Sequence, residues 1–300
     1  MSDCGIVANC ASTMPTESFL FENKERQPGP RLLVFGAVHG NEPCGPVAIR
    51  RVIANIENGT LSLKRGSVRF VPIANPDAYR EKKRLMEKNL NRVFRKTVQP
   101  SCYEERVANE LAPLVDRDAD ALLDVHSSSA PGPVSVFIDY PTPENEALAA
   151  TLGAEYALLD WPKVYENNPY GFESYDTTRY ANDVGIPSVL VECGQHDDPK
   201  TVDVAEAVIL RAMAHTSLID SPAEQFAPPR AIRMQTLEKK LGAGDRFERE
   251  WRHLESVPAG TRIATRESGE ALVAKRDSII ILPKHGAKPG EEWFYLGRAE

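Results

Sequence analysis

Three stretches of this chain each close an apolar run with a side chain that binds metal or moves a proton. They are Val38-His39-Gly40-Asn41-Glu42, Asp124-Val125-His126 and Val191-Glu192. A His and a Glu three apart converge on one point if a loop bends between them, and Gly40 permits that bend. The pair supplies one nitrogen and one carboxylate oxygen, which suits zinc; His126 as a third ligand would leave one position open for water. Water on zinc has a pKa near ~7, and a carboxylate that is not a ligand can take its proton during attack. Glu192 fits that role. Asp124, two residues before His126 on a strand, faces the same side and could orient the imidazole. Singly, each signal is weak. A strand-end histidine is more often structural than ligating, His-x-x-Glu is frequent by chance, and Glu192 could simply pair with an arginine. The conjunction is stronger, because each residue ends a separate buried run.

The elements that must hold these residues follow from periodicity. Arg31 to Ala37, Ser67 to Ile73, Ala121 to Val125, Val134 to Ile138 and Ser188 to Val191 read as strands, with an edge strand near Ser18 to Phe21. Ile49, Val52, Ile53 and Ile56 repeat at i, i+3, i+4, i+7 in a helix that starts near Pro43 and stops at Asn58-Gly59. Further helices are expected over Cys102 to Val115, Pro143 to Leu152 and Val202 to Leu218. Strands alternating with helices predict an α/β fold: a mixed, mostly parallel sheet flanked by helices. Ligands then collect at the carboxyl ends of strands. Tyr79 to Arg95 has no clean period, and a long irregular segment in a compact domain is usually functional or disordered. Asp160 to Asp183 is loop-rich and aromatic, a pocket wall or plain core. Ser221-Pro222 and Pro228-Pro229 mark a boundary. A catalytic α/β domain is expected over residues 1–224 and a small β domain, capping the cleft, over residues 225–300.

The totals narrow the classes. A chain of 300 residues should bury roughly 75% of its unfolded surface, enough for one large domain with a small one. Formal charge is −7, so nothing suggests nucleic acid, although Arg80 to Lys96 is strongly basic. That run is either a solvated face or an anion site. No apolar run approaches ~18 residues, so no membrane span is expected. The first residues do not read as a secretory signal. Five scattered cysteines and no Cys-x-x-Cys pair suit a reducing, cytoplasmic setting. Cys44 and Cys193 flank site residues but lack an assigned base, and read as packing. His196 reads first as part of a capping loop.

The motifs come in one order: His-Gly-Asn-Glu, Asn75-Pro76, Asn89-Leu90-Asn91-Arg92-Val93-Phe94, Asp-Val-His and Val191-Glu192-Cys193-Gly194. In that order the chain resembles the succinylglutamate desuccinylase/aspartoacylase family, a branch of the zinc carboxypeptidase-like fold, over about residues 30–200. The resemblance implies that His39, Glu42 and His126 hold one zinc ion and that Glu192 is the general base. It implies that Arg84 polarises the acyl carbonyl and that Asn91 and Arg92 hold the α-carboxylate. The family often has Asp where this chain has Asn89. Tyr175-Asp176-Thr177-Thr178-Arg179 resembles a Tyr-x-Thr-Thr-Arg segment whose Arg, with the Tyr alongside, binds a side-chain carboxylate; a planar guanidinium suits that task. The expectation is a zinc-dependent amidohydrolase that deacylates an anionic N-acyl amino acid, acidic like N-acetylaspartate or N-succinylglutamate. The partner is a small molecule, with neither nucleic acid nor membrane, and a homo-oligomer is compatible with the chain. The alternatives are a carboxypeptidase-type peptidase on the same zinc site, which a capping β domain would obstruct, and a non-catalytic ligand-binding relative.

Overall fold

The computed structural model describes residues 15–220 and 226–300. Cys4, Cys10, the segment read for a secretory signal and the boundary at residues 224/225 lie outside them. The elements in chain order are β1 (Phe19–Glu22), β2 (Arg31–Gly36), α1 (Cys44–Glu57), β3 (Ser67–Val71), α2 (Pro76–Arg80), α3 (Leu90–Val93) and α4 (Tyr103–Asp118). Then come β4 (Ala121–Ser128), β5 (Ser135–Ile138), α5 (Pro143–Thr151), β6 (Tyr156–Leu159), α6 (Trp161–Glu166), α7 (Thr177–Asp183), β7 (Ser188–Gln195) and α8 (Lys200–His215). The C-terminal part holds β8 (Arg230–Lys239), β9 (Arg246–Phe247), β10 (Glu255–Val257), β11 (Arg262–Thr265), β12 (Ala271–Val273), β13 (Ser278–Ile281) and β14 (Glu292–Ala299).

One mixed sheet has the order β1-β3-β2-β4-β7-β5-β6-β8-β14-β13-β10. Its centre, β3-β2-β4-β7, is parallel, and β5 joins β7 antiparallel. Alternate residues of β2 enter opposite cores: Leu32 and Val34 pack with α1 and α8, Leu33 and Phe35 with α4. Burial on both faces explains why its sequence is uniformly apolar. Among the described residues no helix is long and apolar enough to cross a membrane.

Two readings change in detail. First, β4 and β7 continue past their apolar runs, so His126 and Glu192 lie inside paired strands rather than just beyond them. Apolarity reports burial, whereas the ladder needs only backbone, so polar residues facing a cavity extend it. Second, the C-terminal part does not fold wholly apart. β8 pairs parallel with β6, and β14, β13 and β10 extend the same sheet; only β12-β11-β9 form a separate small antiparallel sheet. Arg, Gln and Glu alternate with buried Ile232, Met234 and Leu237 along β8, a one-face pattern missed next to the prolines.

Candidate metal centre and active-site cavity

His39 and Glu42 sit in the loop between β2 and α1. A Cβ on Gly40 would lie 2.1–2.3 Å from the backbone of Ala78 and Tyr79, so glycine lets the loop press against α2. The Gly40 N–H donates to the Arg84 carbonyl and the Glu42 N–H to the His39 carbonyl. His126 comes from β4, and its strand register places it beside Glu192 of β7. His39, Glu42 and His126 are all buried, and their ligand atoms lie within 4.8 Å of one another.

The donor set fits a zinc ion. His39 Nδ1 lies 2.8 Å from Glu42 Oε1 and 3.2 Å from His126 Nδ1, and His126 Nδ1 is 2.8 Å from Glu42 Oε2. Tetrahedral bonds of ~2.0–2.1 Å separate ligand atoms by about 3.3 Å, close to this triangle. The outer nitrogens each face an oxygen. His39 Nε2 lies 2.9 Å from Asn89 Oδ1, and His126 Nε2 lies 3.0 Å from Asp124 Oδ1. His39 can therefore keep its proton on Nε2 and turn its Nδ1 lone pair inward, whereas His126 Nε2 and Asp124 Oδ1 stand at ion-pair distance with no hydrogen-bond partner among the described residues. The amide oxygen of Asn89 also accepts from the Asn91 N–H.

Charge is strongly redistributed here. Burial, with Arg84 beside it, holds His39 down at about 3. Burial opposes charge on His126, yet Asp124 and Glu42 outweigh it and push the ring well up. A divalent cation competes for that Nδ1 proton, so metal binding would release it. Burial, then the neighbouring Glu42 charge, push Glu192 up to about 8. Its Oε2 has no hydrogen-bond partner among the described residues.

The irregular segment before α3 is pinned. Buried Glu104, in the first turn of α4, accepts from the backbone N–H groups of Met86, Glu87 and Lys88 at 2.7, 3.2 and 2.9 Å. This sets Arg84, whose Nη1 lies 3.0 Å from Glu42 Oε1. Asn91 is tied to α7 through its Oδ1, which accepts from the Thr177 N–H; the Thr177 hydroxyl donates to Asp124 at 2.5 Å. A polar chain thus runs from Asp124 through Thr177 to Asn91, with His126 Nε2 beside Asp124 at 3.0 Å.

The cavity brings together His39, His126, Glu192, Arg84, Asn91 and Arg92. Arg92 reaches it with its fork filled: Nε and Nη2 donate to Glu292 at 2.8 and 2.9 Å. Tyr175 and Arg179 do not line it. The Arg179 guanidinium stacks over the Tyr175 ring at 5.0 Å and donates to the Ser174 carbonyl, while the Tyr175 hydroxyl donates to Asp183. His196 does line the cavity, with Nδ1 2.9 Å from the Ser127 hydroxyl. Cys44 and Cys193 are buried, as packing residues would be.

Sequence reasoning passed over Asp139, Asp176, Thr178, Lys284, Glu292 and Tyr295, which also line the cavity. Asp139 directly follows the apolar run of β5, the very signal used for His126 and Glu192. Asp176 stood inside the Tyr-x-Thr-Thr-Arg segment. Lys284, Glu292 and Tyr295 carried no comparable mark.

The comparisons with known proteins agree on the fold. The Succinylglutamate desuccinylase/Aspartoacylase catalytic domain matches residues 28–216. No curated protein matches the sequence. A solved succinylglutamate desuccinylase/aspartoacylase from Rhodobacter sphaeroides superposes with TM-score 0.75 at 19% identity, over 95% of this chain and 89% of that one. A Vibrio cholerae succinylglutamate desuccinylase gives 0.75 at 16% identity, over 94% and 85%. The product-bound ectoine utilization protein EutE (DoeB) from Ruegeria pomeroyi gives 0.71 at 20% identity, over 94% and 88%. At such identities the likeness is one of fold.

Proposed function

From the fact that this chain belongs to the succinylglutamate desuccinylase/aspartoacylase family, we propose that it deacylates an N-acyl amino compound of the amino-acid type. The family and the His39–Glu42–His126 cluster make it a zinc hydrolase of carbon–nitrogen bonds other than peptide bonds. The observation that carries the deacylase reading is Glu192. Its carboxylate is buried, unpartnered at Oε2, and next to the metal cluster on the adjoining strand.

His39, Glu42 and His126 would hold zinc, which supplies a Lewis acid that lowers the pKa of water and polarises a carbonyl. Glu192 takes a proton from the attacking water and passes it to the nitrogen that leaves. Burial and the neighbouring Glu42 charge raise this carboxyl, which makes it a stronger proton acceptor. The Arg84 guanidinium, held against Glu42, is placed to stabilise charge developing on the acyl oxygen. Asn91 and Arg92 lie on the wall where the rest of the substrate would be held.

The acidic preference finds less support. Of the cations counted on for carboxylates, Arg92 already holds Glu292 and Arg179 is outside the cavity. Leu282, Lys284, Gly286, Glu292 and Tyr295 of the C-terminal part wall the cavity, which favours a small substrate over a long peptide. The test is a screen of N-acetyl and N-succinyl amino acids, with a peptide alongside, using zinc-loaded protein. Hydrolysis of the peptide alone would overturn the reading in favour of a peptidase.

A further inference from the structure

Ser127 and His196 form a pair beside the metal cluster that the proposed chemistry leaves idle. Ser127 is 1% exposed, and among the described residues its hydroxyl has a single partner, His196 Nδ1 at 2.9 Å. The hydroxyl carries one hydrogen, and leaving that hydrogen buried and unpaired is costly, so Ser127 donates to Nδ1. A neutral imidazole that accepts at Nδ1 carries its proton on Nε2. Burial, the largest influence, holds the ring below the ordinary 6.5, so it is neutral at neutral pH. The ring lines the cavity, and no hydrogen bond among the described residues engages Nε2. The cavity therefore meets a preformed, uncharged N–H donor.

The backbone beneath the ring is pinned. The His196 N–H donates to the Ser128 carbonyl at 3.0 Å, and the Gln195 carbonyl accepts from the Asp198 N–H and the Thr201 hydroxyl. The Ser127 N–H donates to Glu42 Oε2 at 3.2 Å, which ties the pair to the metal loop. The charges that reach His196 are those of Glu42, Arg84, Asp197 and His126. Those that reach Arg92 come from Glu292, Tyr165 and Tyr295. His196 thus stands on the side of the metal cluster and Arg84, where the acyl carbonyl would lie, and not on the Arg92 wall. Arg84 Nη1 is already committed to Glu42 Oε1, so this side gains from a second donor that is free.

We propose that His196, set as its Nε2–H tautomer by Ser127, is a further catalytic residue that donates a hydrogen bond from Nε2 to the acyl oxygen beside Arg84. Such a donor needs no reorganisation as charge grows on that oxygen. Ser127 is its positioning residue. This rests on the deacylase reading and adds a residue to its acyl side.

The tautomer can be read without turnover. In zinc-loaded full-length protein labelled with 15N at histidine, the His196 ring should show a bare Nδ1 and a protonated Nε2 at neutral pH. Ser127→Ala should shift part of that proton to Nδ1. A proton on Nδ1 in the wild type would overturn the proposal, and an unchanged ring in Ser127→Ala would overturn the part given to Ser127. Rates follow, on the N-acyl compound hydrolysed fastest in the screen. His196→Phe should lower kcat by about 10²-fold with KM changed less than about threefold, the weight of one donor lost from a reacting oxygen. His196→Gln, whose amide nitrogen can stand in for Nε2, should recover about tenfold of this. Ser127→Ala, which leaves the ring in place, should lower kcat by about threefold or more. A kcat for His196→Phe near that of the wild type, or no recovery in His196→Gln, would overturn the catalytic role. If no N-acyl compound is hydrolysed, the deacylase reading fails by itself. Acetate then judges His196: saturating acetate should move the Nε2–H signal where chloride at equal ionic strength does not, and an unmoved signal overturns the proposal.

Discussion

Glu292 of β14 grips Arg92 of α3 through two nearly parallel hydrogen bonds of 2.8 and 2.9 Å, across 200 positions of sequence. The guanidinium also lies 5.1 Å from the Trp161 ring centre and 5.0 Å from that of Tyr165. Burial disfavours charge on Glu292, but Arg92 outweighs it and holds the carboxyl at about 2. The C-terminal strands thus supply a carboxylate where the resemblance placed a carboxylate of the substrate.

Removing the Glu292 charge should have two effects. Glu292→Gln leaves a mostly buried guanidinium without a counter-ion, at a cost of about 3 kcal/mol in urea unfolding. It also frees Arg92, so kcat/KM for 5-acetamidopentanoate should rise relative to N-pentylacetamide. An unchanged ratio would mean that Arg92 does not face the substrate.

Glu192→Gln should bind zinc as the wild type does and lose roughly 10²- to 10⁴-fold in kcat, the usual weight of a general acid–base group. Steady-state rates with metal content measured on the same sample check this. Turnover within a few-fold of wild type would remove Glu192 from the chemistry.

Gly40→Ala would drive a methyl group into the backbone of α2, at 2.1–2.3 Å from Ala78 and Tyr79. The metal loop must then move away. A loss of about 3 kcal/mol or more is expected, with weakened zinc retention. Wild-type stability and zinc content in this variant would show that the loop does not need its close approach.

His253 sets an acid limit on stability. Burial alone holds its ring down at about 3, well below the ordinary 6.5. Its Nδ1 accepts from the Leu282 N–H, and Nε2 lies 3.1 Å from the Ser135 hydroxyl. Between these pH values the unfolded chain binds the proton and the folded chain does not. The stability is therefore complete above pH 6.5 and falls toward pH 3, by about 1.4 kcal/mol per unit from this group. Urea unfolding at pH 7 and pH 5 should give a shallower decline for His253→Gln than for wild type. Equal declines would show that His253 is not the group responsible.

The candidate metal cluster and Glu192 were legible because polar residues there interrupt strongly patterned sequence. His39, His126 and Glu192 stand against runs buried on both faces of the sheet, where any polar residue is conspicuous. The element order around them was legible for the same reason, apart from β6, β8 and the short helices α2, α3, α6 and α7. Arg92 was found by resemblance, but its partner was not, because a single Glu at the start of a C-terminal strand looks like any surface acid. Arg179 behaves differently. Its motif is intact, yet the side chain stacks on Tyr175 outside the cavity, an orientation that depends on three-dimensional packing. Asp176 in the same motif faces inward, and nothing in its sequence neighbours distinguishes a capping aspartate from one that also lines a cavity.

The most direct test of the whole account is zinc content by elemental analysis of purified wild-type protein beside His39→Ala, His126→Ala and Glu192→Gln. The account predicts one zinc ion per chain in the wild type and in Glu192→Gln, and almost none without either histidine. Full zinc in His126→Ala, or none in the wild type after loading and desalting, would contradict it.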